Sequence, residues 1–257
     1  MECDITINVK NFSEKTTVKK GTALSDLCAQ FESRFTRPPL LATVDSEMHH
    51  LSRPLLYDSD VEFFDISEAN GYRAYQRGVS FIMIYAVKTL LGKKARVVIK
   101  HSINKNYYCE IPGHNENITD DFLTQIEKIM TETVERRLPI EKISLQIEAA
   151  RKISGDMGLE DKLGLLRYRR TSFVNFYRLD WFYNYFNGQM PPNTEHLGQF
   201  KLIKNSSGFI LQFPAASHDF ELAELSPNQK IFNVFEESSE WARILKVETV
   251  CSLNDQF

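Results

Sequence analysis

The side chains best suited to chemistry lie in the second half of the chain. Arg167-Tyr168-Arg169-Arg170, followed by Tyr177, Arg178, Trp181 and Tyr183, interleaves guanidinium cations with flat aromatic faces. Cations neutralise phosphates and aromatic faces stack on unpaired bases, so the mixture suits single-stranded RNA or a nucleotide. A solvated charged edge beside an aromatic core has the same composition. Arg167, Arg169, Arg170 and Arg178 are therefore the candidate RNA-binding residues. Cys109 and His114 are metal-ligating types, but no second pair stands near them to complete a tetrahedral set. No GxxxxGK[ST] phosphate loop occurs: Gly92-Lys93 has Val87 where the first glycine belongs, so phosphoryl transfer cannot reside in these residues.

A second focus is Tyr185–Pro214. Its Pro191-Pro192 excludes helix, and its two alternating runs, Gln199–Ile203 and Gly208–Phe213, flank Asn205–Gly208 as a hairpin would. A loop feeding a rigid hairpin is a common place for a site. Within it Asn193 and Thr194 are candidate hydrogen-bond donors to a ligand, although turn chemistry explains both residues equally well.

The elements that must position these groups follow from periodicity. Ile5, Ile7 and Val9 alternate as in a half-buried strand, and Lys15–Val18 is a second. Leu24, Leu27, Cys28 and Phe31 fall at helical spacing behind Thr22, a candidate N-cap. Leu40–Val44 and Asp60–Ile66 read as strands, while His49-His50 reads as a surface turn. Strand, strand, helix, strand, strand suggests a β-grasp module over residues 1–66. Ser67–Tyr72, with Asn70-Gly71, reads as a linker. A larger α+β region over 72–220 follows. It begins with the apolar helix Ala74–Leu91 and a hairpin around Asn104-Lys105-Asn106. Next comes a helix capped at Thr119, with an inner stripe of Phe122, Ile126, Ile129, Met130, Thr133 and Val134. Helices over Ser144–Met157 and Leu159–Tyr168 and a very aromatic, less cleanly alternating stretch over Phe173–Trp181 complete it. Residues 221–257 form a C-terminal segment with a strand at Lys230–Phe235 and a helix at Ser239–Val247.

Composition bounds the function. The chain has 257 residues, 42% hydrophobic and 25% charged, with a formal net charge of −3. That balance is globular and argues against a strongly basic nucleic-acid binder, leaving room for a local patch. Cys3, Cys28, Cys109 and Cys251 lack ligand spacing. With no signal-peptide pattern at the N-terminus they read as reduced thiols of a cytoplasmic protein. The most apolar run, Val79–Val87, is about half of what a bilayer span needs, so no membrane partner is expected.

The N-terminal module, with its Gly21-Thr22 helix start and Tyr57–Ile66 finish, resembles a TGS domain, a ubiquitin-like fold. Arg77–Leu91, Asn106–Ile111, Phe122–Pro139, Gly188–Thr194 and Gly198–Leu202 resemble the second additional domain of threonyl- and alanyl-tRNA synthetases. That resemblance implies HxxxH on the first helix and CxxxH in the later loop, pairs that converge on a metal or substrate. Here the first pair of positions holds Arg77 and Phe81, and the second Phe186 and Met190. A guanidinium cation cannot ligate zinc, phenyl rings offer no lone pair, and a thioether alone is too soft to anchor it. The resemblance therefore implies lost hydrolysis of mischarged tRNA. It leaves Arg77 as a phosphate or carboxylate clamp, or as one side of an ordinary salt bridge.

The MPPNT loop, Ser207–Pro214 and Phe232–Phe235 also resemble bacterial proteins that join these two domains to a C-terminal P-loop nucleoside (uridine) kinase. That branch implies a non-catalytic recognition or regulatory region, truncated ahead of a kinase domain. ATP and magnesium would act only in that domain, which would be a partner of this region. The alternative is an aminoacyl-tRNA editing-type hydrolase or an RNA-binding module related to threonyl-tRNA synthetase. No cofactor or metal is expected in these residues, and nucleotide or RNA is the expected ligand.

Overall fold

The computed structural model describes residues 4–216 and 219–223. The expected strand at Lys230–Phe235, the helix at Ser239–Val247, and Cys3 and Cys251 lie outside the described residues. The fold is α+β: a ubiquitin-like β-grasp followed by a larger α+β region. The chain divides into two compact units. One comprises residues 1–82, 131–142 and 186–198, the other 83–130, 143–185 and 199–257.

In the first unit, β1 (Asp4–Val9) and β2 (Glu14–Lys19) form an antiparallel hairpin. Helix α1 (Leu24–Gln30), β3 (Leu41–Val44), β4 (Glu47–His49) and β5 (Ser59–Phe64) follow. The sheet order is β2-β1-β5-β3-β4, with β1 and β5 parallel and the other pairs antiparallel. Alternation puts Ile5, Ile7 and Val9 of β1 into the core. Leu24, Leu27 and Phe31 meet them there with Val61 and Phe63.

Three local readings change. Thr22 does not cap α1: Ala23 holds the N-cap position without a side-chain bond, and the Thr22 hydroxyl donates to Lys19 O at 2.7 Å. His50 is buried rather than at the surface, because Asp45 and Ser46, both at positive φ, close a tight hairpin that makes β4. Asn70-Gly71 is helical: α2 runs over Ala69–Leu91. Asp65 accepts hydrogen bonds from the Ser67 amide and hydroxyl, and this turn starts the helix where a linker composition suggested none.

The rest of the chain, in which residues 131–142 and 186–198 belong to the first unit, carries two further sheets. Strands β6 (Val98–Ile103) and β7 (Asn106–Glu110) turn through Asn104 and Lys105, both at positive φ. Helix α3 (Asp120–Glu135) follows and carries a true cap, the Phe122 amide donating to Thr119 Oγ1 at 3.2 Å. Its fully buried positions are Leu123, Ile126, Met130 and Thr133. Next is β8 (Glu141–Gln146), so 144–146 are strand, and helix α4 starts only at Ile147 (Ile147–Asp156). The alternating exposure along β8 is the strand period that a helical reading of Ser144 overlooks. Helix α5 (Glu160–Arg167), β9 (Phe173–Leu179), β10 (Phe182–Asn184), β11 (Lys201–Asn205) and β12 (Gly208–Gln212) complete the fold. The sheets are β10-β9-β8 and β11-β12-β7-β6. Among the described residues no helix is long and apolar enough to cross a membrane.

Gly208 fixes the second of these sheets. A Cβ there would lie 2.3 Å from Cys109 O on the neighbouring strand and 2.8 Å from the Tyr108 hydroxyl. Gly208→Ala is expected to cost about 1–3 kcal/mol by forcing β12 off β7. Urea denaturation would check this, and a midpoint equal to wild type would contradict it.

Candidate functional site

The positions singled out at 77, 81, 186, 190, 193 and 194 all fall in the first unit. Helix α2 presents Arg77 and Phe81 one turn apart on one face. Arg77 Nε donates to Gln189 O at 2.8 Å. Gly188, at φ +99°, permits this approach: a Cβ there would sit 2.9 Å from an Arg77 guanidinium nitrogen. The guanidinium is thus held against the loop backbone.

Phe81 is fully buried and meets Phe186 edge-on, ring centroids 5.7 Å apart. Met190 is fully buried as well. These three side chains fill the space with carbon and sulfur and bring no base or nucleophile to it. Among the described residues no group of three or more His, Cys, Asp and Glu side chains is arranged to hold a metal ion.

Thr194 is fully buried and its hydroxyl is committed to the backbone. It donates to Thr133 O at 2.8 Å and accepts from the Leu138 amide at 3.0 Å. Its own amide donates to Leu138 O at 3.0 Å. Thr194 therefore staples the loop to the end of α3 and has no donor left for a ligand. The Asn193 carboxamide oxygen accepts from the Glu195 amide at 3.0 Å, a local turn that leaves its NH2 group as a donor.

Sequence reasoning missed the polar groups that surround this loop. Lys142 Nζ donates to Gln189 Oε1 at 3.1 Å, and Gln189 Nε2 donates to Met48 O at 3.2 Å. Burial pushes Lys142 below the usual lysine range. His50 is also held below the ordinary imidazole range, chiefly by burial, with the Lys142 charge adding to the effect and the Pro191 and Ile140 backbone opposing it. No local pattern marks these residues, because the contacts join β4, β8 and the loop across long stretches of sequence.

In the second unit, Arg167, Arg169 and Arg170 are exposed at the end of α5 and just beyond it. Arg169 Cζ lies 5.4 Å from the centre of the Tyr185 ring, and its guanidinium donates to the Tyr185 hydroxyl. Lys162, Leu165, Leu166, Arg169 and Tyr185 line a cavity of about 140 Å3. Arg178 sits instead within β9, opposite Tyr183 in the β9–β10 ladder. The aromatic surfaces differ from expectation. Tyr177 is buried, and Trp181 packs on Tyr85 at 5.4 Å with Lys93 over its face. Among the described residues of this unit the exposed rings are Tyr168 and Phe173, 48% and 55% accessible, so stacking surface exists but on other residues. Cys109 is a core thiol, raised by burial far above its usual range, and not half of a metal pair.

No protein-family profile matches the chain. Among curated proteins it is similar to the threonine–tRNA ligase of Syntrophotalea carbinolica, 26% identical over 202 residues, 79% of this chain and 31% of the ligase. The corresponding ligase of Thermotoga neapolitana is 28% identical over 169 residues, 65% of this chain and 26% of the ligase. That of Halorhodospira halophila is 24% identical over 203 residues, 79% and 30% of the two chains. The chain is distantly similar to the N-terminal region of threonyl-tRNA synthetases. It spans less than a third of the length of these relatives. The similarity lends no support to the nucleoside kinase branch.

Proposed function

We propose that this chain is an RNA-recognition module related to the N-terminal region of threonyl-tRNA synthetases, without hydrolytic chemistry of its own. The observation that carries the reading is the state of residues 77, 81, 186 and 190. Arg77 is tied to Gln189 O, and Phe81 and Met190 are packed out of solvent. None of these four side chains can activate water or hold a metal. The binding half of the reading rests on Arg167, Arg169 and Arg170 with the exposed rings of Tyr168 and Phe173, cations beside stacking faces on a chain that is mildly acidic elsewhere.

The test is fluorescence anisotropy with labelled RNA at several salt concentrations. The double substitution of Arg167 and Arg170 by Ala is expected to weaken binding about tenfold or more and to flatten the logarithmic salt dependence by about one to two units. Unchanged affinity and slope would remove the RNA reading. Release of serine from seryl-tRNA by the purified chain would overturn the non-catalytic half.

A further inference from the structure

A cavity of about 500 Å3 opens within the first unit, away from residues 77, 81, 186 and 190. One wall is the outer face of α1 and the turn after it, where Ser25, Cys28, Ala29 and Glu32 recur at helical spacing. The inner face of the same helix, Leu24 and Leu27, is committed to the β-grasp core. The opposite wall is the loop at Pro192, Asn193 and His196, and one end is closed by Phe35 and Pro38-Pro39. The volume is that of a small-molecule site rather than of a groove for a folded partner.

The chemistry of the lining narrows the occupant. Burial, with the Glu32 charge beside it, pushes the Cys28 thiol up to about 12, so it is a neutral group and not a nucleophile. Burial also holds His196 below the usual imidazole range, against the opposing pull of Glu195 and Glu32. Glu32 is therefore the anion that both groups sense. The Asn193 NH2 is left as a donor by its turn, as described above. The Phe35 ring is held in place by Phe12 at 5.0 Å and Phe63 at 5.7 Å, and so presents a fixed apolar surface.

We propose that this cavity binds a ribonucleoside through its vicinal diol, with Glu32 accepting from the ribose hydroxyls, Asn193 donating to the base edge, and Phe35 and the prolines packing on the base. A carboxylate is the acceptor that suits two adjacent hydroxyls. Apolar walls of ring width suit a flat base. The same diol is carried by a free nucleoside and by the 3′ end of an RNA, the one residue of that polymer that keeps both hydroxyls.

Isothermal titration of the intact chain with adenosine and uridine, and with their 2′-deoxy counterparts, tests the proposal. Ribonucleosides are expected to bind about tenfold more tightly than the deoxy forms. Glu32→Gln should erase that difference, and Ala29→Trp, which fills the cavity from an exposed position, should abolish binding while leaving the melting temperature unchanged. A short RNA with a free 3′ diol that displaces adenosine, where its 3′-phosphorylated twin does not, would identify the RNA end as the source. Failure of both to displace adenosine would identify the free nucleoside. Absence of heat at millimolar nucleoside, equal binding of the ribo and deoxy forms, or an unaltered preference in Glu32→Gln would overturn it. Because this cavity shares no residue with the arginine patch, either site can fail its test while the other passes.

Discussion

Lys88→Met is expected to lower stability by about 3 kcal/mol at pH 7. Lys88 lies near the C-terminal end of α2, is 2% exposed, and its ammonium donates to three backbone carbonyls. These are Lys93 O at 3.0 Å, Ala95 O at 2.6 Å and Met157 O at 2.8 Å. The end of α2, the turn after it and the end of α4 thus share one donor. Carbonyls at helix ends have no intrahelical partner, and a cation there also answers the helix dipole. A methionine fills the same space but leaves the carbonyls unsatisfied at about 1–3 kcal/mol each. Part of that loss is offset because an ammonium no longer has to be desolvated.

The pH dependence separates these two terms. Burial pushes Lys88 from 10.5 down to about 8, with Asp161 opposing. Between those values the unfolded chain holds a proton that the folded chain has released. Wild-type stability therefore rises with pH across that window, and the penalty of burying the charge is fully present below it. Lys88→Met lacks this gain. Urea denaturation at pH 7 and pH 10 should show the gap between the two proteins widening at the higher pH. A gap that narrows would mean that the three carbonyls hold the ammonium more strongly than burial expels it.

Phe81→Ala is expected to cost about 3–5 kcal/mol, the usual range for removing a fully buried ring that the surroundings cannot replace. The edge-on contact with Phe186 is lost with it. Phe81→Leu keeps most of the volume and should cost less than about 2 kcal/mol. Phe81→His restores the residue type that the synthetase resemblance implies at this position, and it is the informative comparison. An imidazole there replaces a buried all-carbon ring that packs edge-on against Phe186, so this variant is expected to be less stable than Phe81→Leu despite its similar size. Denaturation midpoints for the three variants give the ordering directly. A Phe81→His protein as stable as wild type would show a polar pocket still present behind the ring, against the reading of a filled site.

Much of the local structure is legible from side-chain type alone. Alternation in Ile5-Thr6-Ile7-Asn8-Val9 sets which face of β1 is buried, and Leu24, Leu27 and Phe31 set the inner face of α1. Asn104-Lys105 and Ser206-Ser207 close their hairpins as turn chemistry requires, and Thr119 caps α3. These features depend on neighbours a few residues away. The misread features include one local case and one long-range case. Thr22 looks like a cap but bonds backward to Lys19, and Ser144–Gln146 is strand because it pairs in a sheet with β9.

The same division runs through the sites. Residue types alone state that Arg77, Phe81, Phe186 and Met190 cannot assemble a zinc site, and that the 167–170 segment mixes cations with rings. Only the tertiary structure ties Arg77 to Gln189, spends the Thr194 hydroxyl on Thr133 and Leu138, and buries Tyr177 while exposing Phe173. It alone brings the outer face of α1 opposite Asn193 and His196 to form a cavity. The sequence determined what each residue is able to do, because donors, charges and apolar surface belong to the side chain. The fold decided what each one does, because burial and hydrogen-bond partners come from segments distant in the sequence, 112 residues apart in the Arg77–Gln189 bond and 61 in the Thr194–Thr133 bond.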